Sequence, residues 1–207
     1  MATSDPGLGQ DGRMPRVVDH DARRRDIAAA LLAVAARDGH DGVSSRAVAR
    51  ELGVAVGSLW HYFDGFDDVI RAAAAEVTRR TEDRIRAATE GLRGLARLEA
   101  IMREVLPVDA VTRTEAHVVV GFWGRLASLA PAADASVATI PLWRTETADA
   151  LEEAVADGEL RGDTPLEDVL ALLRAITYGQ QIVEVAEPAD PAAHLRVLTA
   201  ILTPWRT

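Results

Sequence analysis

The chain has no cysteine and no lysine. Without Cys there is no disulfide framework and no thiolate chemistry. Without Lys, all 23 basic residues are Arg, which points to a GC-rich coding bias rather than to a mechanism. Aromatics are scarce at 4%, and strand-type alternation is hard to find. No apolar run reaches the roughly 20 residues that a membrane span needs. The N-terminus lacks the apolar segment of a signal peptide, so a cytoplasmic protein is expected. The five His are scattered without paired spacing, which argues against a metal site. There is no Gly-x-Ser-x-Gly and no phosphate-cradling Gly loop. Neither an enzyme activity nor a cofactor is expected.

What is present is 207 residues with 48% hydrophobic content, enough for a sizeable core. Ala and Leu dominate, and the periodicities are helical, so an all-α fold is expected. The net charge of −9 argues mildly against a nucleic-acid partner. The distribution matters more than the total. Residues 13–62 hold eight Arg against six acids, Asp19, Asp21, Asp26, Asp38, Asp41 and Glu51, and the acid excess lies further along.

Residues 1–18 are rich in Gly, Pro, Ser and Asp and read as a disordered arm. Its Arg13 and Arg16 could reach a DNA backbone or stay solvated. A first helix is predicted over about 19–38, with Ile27, Leu31, Leu32, Val34 and Ala35 on its apolar face and Gly39 as its stop. Arg23, Arg24 and Arg25 oppose the helix dipole in its first turns. Phosphate contact and a solvated face are both open readings for them. A long helix is predicted over 67–89, long enough at ~30 Å to connect two domains. Further helices follow over about 95–106, 109–130, 132–156 with Pro141 as a kink or break, 164–186 and 190–202.

Between the first helix and the long one lies Ser44 to Phe63. Ser44 or Ser45 can cap a short helix whose Val48 and Leu52 share a face. Gly53 ends it. A second helix begins near Ala55 and carries Val56, Leu59 and Phe63 at spacings of three and four. Two helices joined by a short Gly-containing turn form the helix-turn-helix pattern, whose second helix enters the DNA major groove. Ser45 and Arg46 then stand at the groove, with Arg46 suited to a guanine edge or a phosphate. Val56 and Gly57 open the second helix. Val56 could pack on a thymine methyl, and Gly57 allows close backbone approach. Ser58, Trp60, His61 and Tyr62 are its polar handles, His61 being either a contact or an idle exposed ring.

These residues resemble the DNA-binding head of the tetracycline-repressor (TetR) family. The resemblance covers about fifty residues: Gly39, Ser44-Ser45, Val48-Ala49, Leu52-Gly53-Val54, and Gly57-Ser58-Leu59-Trp60-His61-Tyr62-Phe63. It implies DNA contacts from Ser44, Ser45, Arg46, Val56, Gly57, Ser58, Trp60, His61 and Tyr62. Two positions depart from the family pattern. Ala55 stands where Ser or Thr usually caps the recognition helix, which costs about 1 kcal/mol. Phe66 stands where a phosphate-binding Lys is usual, flanked by Asp64, Asp67 and Asp68. Weaker non-specific DNA affinity is therefore expected, with more of the binding left to Arg46, Ser58 and Tyr62.

The rest of the chain resembles, less specifically, the C-terminal domain of the choline-sensing BetI branch. The residues that carry this are Leu98-Glu99 through Leu106-Pro107, Phe122-Trp123, Leu142-Trp143 and Gly158-Glu159-Leu160. The resemblance implies three parts: an arm at 1–18, a helix-turn-helix domain at 19–66, and a helical ligand-binding and dimerisation domain at 67–207. For the pocket, His117, Phe122, Trp123, Trp143, Tyr178 and Gln181 are candidates, because aromatic faces suit a cationic or aromatic ligand. Ordinary core packing is the competing reading. Val169, Leu173, Ile176, Gln180 and Val183, with Leu195, Leu198, Ile201 and Leu202, stripe the last two helices. They either close the monomer core or form a four-helix dimer interface. The expected partners are a palindromic double-stranded DNA operator, a small-molecule effector and a second copy of the chain. A dimeric interaction protein that has lost DNA binding is the alternative, motivated by Phe66, the acids at 64–68 and the net charge.

Overall fold

The computed structural model describes residues 19–129 and 142–207, with the backbone alone at His40, 122–129 and Leu142. The expected arm at 1–18 and the stretch around Pro141 lie outside the described residues. The described residues are helical throughout, with one isolated bridge between Leu160 and Arg206. The helices are α1 (His20–Asp38), α2 (Ser45–Glu51), a recognition turn (Val56–His61), α3 (Phe66–Thr89), α4 (Gly94–Val105), α5 (Ala110–Leu129), α6 (Leu142–Ala156), α7 (Leu166–Ala186) and α8 (Pro191–Leu202). Short 3-10 turns add His40–Gly42 and Thr203–Trp205. The all-α expectation holds, and so does the order of the helices. No helix of the described residues is long and apolar enough to cross a membrane.

The caps follow the sequence. Asp19 accepts from the Ala22 N–H at 3.0 Å and opens α1. Gly39 closes it at φ 73°, its N–H donating to the Ala35 carbonyl at 3.0 Å. Asp190 caps α8 through the Ala192 N–H at 3.1 Å, with Pro191 in the first turn.

Two apolar cores share α3. The first joins Ile27, Leu31 and Leu32 of α1 and Val48 of α2 to Leu59 and Phe63, and to Val69, Ile70 and Ala73 of α3. The second joins Ile85, near the end of α3, to Leu98, Ile101 and Met102 of α4, Trp143 and Leu151 of α6, Val169 and Leu173 of α7, and Leu198 of α8. Between the two cores α3 has a polar waist. Arg79 and Arg80 donate to the buried Glu76 within the helix. Arg84 reaches Glu104 on α4 at 2.9 Å and Glu115 on α5 at 2.7 Å. The long helix therefore carries the first core at one end and is fastened to the second at the other.

The faces of α7 need one correction. Val169 and Leu173 are buried within the single chain, as are Leu198 and Leu202 of α8, so these four leave the expected dimer interface. The outward residues are Leu172, Ile182 and Val183 on α7 and Val197 on α8. Ile176, Gln180, Leu195 and Ile201 are half-buried. The physical reason is that α7 carries two apolar stripes, one through 169, 173 and 177 and another through 172, 176 and 183. Periodicity gives both and does not say which one meets the core.

Candidate nucleic-acid interface

Ser44 sits in extended backbone, and its Oγ accepts from the Ala47 N–H at 3.2 Å. That bond satisfies one orphan donor of α2. Val48 and Ala49 face the core, which turns Arg46 and Arg50 outward and leaves Ser45 half-buried. Gly53 follows the helix at φ 66°. Its N–H reaches the Arg50 carbonyl at 3.1 Å, and the Val54 N–H reaches that of Ala49 at 3.0 Å. This is the paired-bond helix stop that a left-handed glycine allows.

The recognition segment departs from expectation in its geometry. It is a 3-10 helix of six residues, Val56–His61, rather than an α-helix. Ala55 has the extended backbone of a cap, at φ −70° and ψ 144°, but no side chain that can accept. The Ser58 N–H instead bonds the Ala55 carbonyl at 2.9 Å, the tighter i→i+3 pattern. Leu59 and Phe63 anchor the turn in the core at 1% and 3% exposure. The opposite side faces out. Trp60 is 42% exposed, and Gly57 and His61 are exposed. Val56, Ser58 and Tyr62 are half-buried. A Cβ added at Gly57 would meet nothing within 4 Å, so packing within the chain does not require glycine there.

Of the three arginines opening α1, Arg25 is exposed and Arg23 pairs with Asp26 at 3.5 Å. Arg24 turns inward, bonding the Tyr62 carbonyl and lying 3.4 Å from Asp68. Asp68 also faces Arg71 at 3.5 Å. One of the acids expected to repel phosphate is thus engaged with two guanidinium groups. At the far end of α1, Arg37 bonds Glu51 of α2 at 2.7 Å and Asp38 at 3.0 Å. The bonds from Asp38 and Glu51 hold the Arg37 guanidinium firmly charged.

Among the described residues, the expected pocket side chains lie in different surroundings. His117 is exposed on α5, its ring against the Arg113 carbonyl at 2.8 Å. His117 is one position from the buried Val118, and that rotation of about 100° puts its ring on the outside of the helix. Trp143 is buried in the second core. Tyr178 packs against the same core, and burial pushes its hydroxyl pKa up. Gln181 donates to the Val105 carbonyl at 3.1 Å. The side chains of Phe122 and Trp123 lie outside the described residues. A small cleft of about 60 Å³ lies between α4 and α8, against Leu95, Leu195 and Leu198, and none of the pocket candidates lines it.

Residues 27–73 match the family described as "Bacterial regulatory proteins, tetR family". The matched stretch runs from α1 through the segment Val56–His61 into α3. Among the chain's relatives, the HTH-type transcriptional regulator PksA of Bacillus subtilis (strain 168) is 34% identical over 110 residues, 53% of this chain and 54% of that protein. The chain thus spans about half the length of the curated relative it matches. A transcriptional regulator from Rhodococcus sp. Rha1 superposes with a TM-score of 0.70 at 27% identity, covering 89% of this chain and 98% of that one. A putative transcriptional regulator from Saccharomonospora viridis, solved in complex with choline, superposes with a TM-score of 0.75 at 18% identity, covering 88% and 96%. At that identity the likeness is one of fold. The sequence leaves Arg24 between phosphate contact and a solvated face, and its inward turn is neither. Its partners lie 38 to 44 positions away, and no local spacing reveals them.

Proposed function

We propose that the chain is a ligand-responsive transcriptional regulator, a repressor that binds a palindromic operator as a homodimer and leaves it when a small-molecule effector binds. The observation that carries this is the outward side of residues 56–62. A large aromatic, an imidazole and a hydroxyl stand there beside a glycine that internal packing does not require. An empty place beside exposed donors suits close approach to a groove. The DNA contacts we propose are Ser44, Ser45, Arg46, Val56, Gly57, Ser58, Trp60, His61 and Tyr62.

The dimer would form through the outward stripe of α7 and α8, with Ile176, Gln180 and Val183 from the expected set joined by Leu172, Ile182 and Val197. A C2 pair built on these helices would hold two heads at about 34 Å, one turn of DNA. The effector would enter the second domain near Trp143, Tyr178 and Gln181 and alter the angle of α3, which carries the head. Such a ligand must favour the DNA-free state, and a coupling of about 1–3 kcal/mol is typical. The likeness to the BetI branch supports an aromatic pocket and does not make the ligand choline.

Fluorescence anisotropy on DNA upstream of the chain's own coding region, over a salt series and beside Arg46→Ala, tests the reading. Tight binding with a steep salt slope that Arg46→Ala weakens is the expected result. Binding no better than to scrambled DNA, with no retention on heparin at low salt, would favour the interaction protein instead. An effector that saturates the second domain without changing operator affinity would end the release mechanism.

A further inference from the structure

Arg24 fills the seam where α1, the recognition turn and α3 meet. Its Nη1 donates to the carbonyl of Tyr62, the residue that closes the recognition turn. Its Nη2 lies 3.4 Å from the Asp68 carboxylate in the first turn of α3. Its guanidinium carbon stands 4.1 Å from the centroid of the Phe63 ring. One turn earlier on α1, the His20 ring meets the Tyr62 ring at a centroid distance of 4.8 Å. A planar guanidinium can donate from its edge to two acceptors while its face lies on an aromatic ring. All three are in use here.

We propose that Arg24 is a positioning residue for DNA recognition, holding the recognition turn from behind and joining it to α3 without touching phosphate. The inference rests on the DNA-binding reading above. The turn has little support of its own. It is six residues of 3-10 helix, whose hydrogen bonds are weaker than those of an α-helix. Its opening end has no side-chain cap. Leu59 and Phe63 fix its depth in the core, but apolar contact is non-directional. The Tyr62 carbonyl is directional, and a bond to it fixes how Ser58, Trp60 and His61 are presented. Groups that read a surface must be held to within about 0.5 Å. Because Arg24 also meets Asp68, the closing end of the turn is tied to the same helix that runs into the second core.

The test uses the full-length chain and a duplex that the wild type selects from a random-sequence pool. Affinity for that duplex and for a scrambled one is measured over a salt series for the wild type, Arg24→Ala, Arg24→Lys and Asp68→Asn. Amide hydrogen exchange over residues 56–66 is followed without DNA. Arg24→Ala is expected to lose roughly tenfold or more on the selected duplex and little on the scrambled one. Its salt slope should stay that of the wild type, and exchange over 56–66 should quicken. Arg24→Lys should recover only part of the loss, because an ammonium is a point donor with no fork and no planar face. Equal losses on both duplexes with a slope reduced by about one would make Arg24 a phosphate contact and overturn the proposal. Unchanged affinity and exchange would overturn it equally. If Arg24→Ala does not fold, Asp68→Asn carries the test, since it keeps the Tyr62 bond and should show a smaller loss of the same kind. A wild type that enriches no sequence would sink the DNA-binding reading and this role together. Enrichment with unmoved variants would sink the role alone.

Discussion

The two cores are built on different principles. Among the described residues, every buried polar side chain lies beyond residue 66: Glu76, Thr112, Thr147, Thr164, Thr177, Glu184 and His194. The head is packed with aliphatic and aromatic side chains, and its ion pairs lie at its margins. The second domain places charges among its helices. Glu184 of α7 is 2% exposed, yet it meets Arg113 of α5 at 3.2 Å, His194 of α8 at 3.3 Å and the Ala189 N–H at 3.0 Å. Arg113 also donates to the Ala189 carbonyl at 2.7 Å, so the turn between α7 and α8 is tied from both sides. An apolar core accepts any arrangement that excludes water, whereas a buried charge accepts only the arrangement that pairs it. The head can thus serve as a rigid body, while the geometry of the α7–α8 pair depends on a few polar bonds.

The sharpest way to break the contrast is to open the dry core. Leu59→Ala removes a side chain that is 1% exposed and leaves a cavity under the recognition turn. A loss of about 3 kcal/mol is expected from denaturant unfolding, together with loss of the DNA binding proposed above. The second core is broken by charge rather than by volume. Glu184→Ala strands Arg113 and His194 and leaves the Ala189 N–H without its acceptor. Removing one partner of a buried pair costs about 3–5 kcal/mol, but Arg113 is 33% exposed and regains water, so about 2 kcal/mol is expected. Hydrogen exchange should place that loss in α7 and α8 and leave residues 27–63 protected. Uniform weakening of both cores would refute the contrast.

What was legible in the sequence divides along the same line. In the head, the apolar stripe of α1, the Ser44 cap and the Gly39 and Gly53 stops are local chemistry, and each sits where its residues imply. The second domain hides its logic, because the group formed by Arg113, Glu184 and His194 is drawn from three helices, α5, α7 and α8, and no local spacing links them. The period of α7 allows either stripe to face in, and the one through Val169 and Leu173 is the one that closes the core. His117 has apolar neighbours in sequence yet faces outward on α5, because one position along a helix is a rotation of about 100°. Even in the head, the 3-10 form of the recognition turn and the inward turn of Arg24 depend on tertiary contacts that no spacing encodes.

Acid should find the second core before the first. The hydrogen bonds from Arg79, helped by those from Arg80 and opposed by burial, hold the Glu76 carboxyl down at about 2. Burial alone would raise Glu184, but the Ala189 N–H, His194 and Arg113 outweigh it and hold the group below its ordinary value. Carboxylates depressed in the folded state contribute stability that is complete above the unfolded pKa, near 4.5. That contribution is lost as pH falls through the folded values, so the window runs from about 4.5 to about 2 for Glu76 and opens below about 4.5 for Glu184. Unfolding free energy measured down through this window should fall for the wild type and fall less steeply for Glu184→Gln. Equal slopes would mean that the buried carboxylate is not the acid-sensitive group.

The smallest effect sharpens the contrast within the head itself. Ser44 caps α2, and Ala55 stands at the matching place before the recognition turn with extended backbone and no acceptor. Ser44→Ala should cost about 1 kcal/mol, and Ala55→Ser should return a few tenths, because a cap adds less to a helix of six residues than to a complete turn-by-turn ladder. The useful readout for Ala55→Ser is local. Slower hydrogen exchange at Gly57 and Ser58 would show the hydroxyl accepting there. Unchanged exchange would mean that the opening end of the turn is already fixed, and that its closing end at Tyr62 is where its orientation is set.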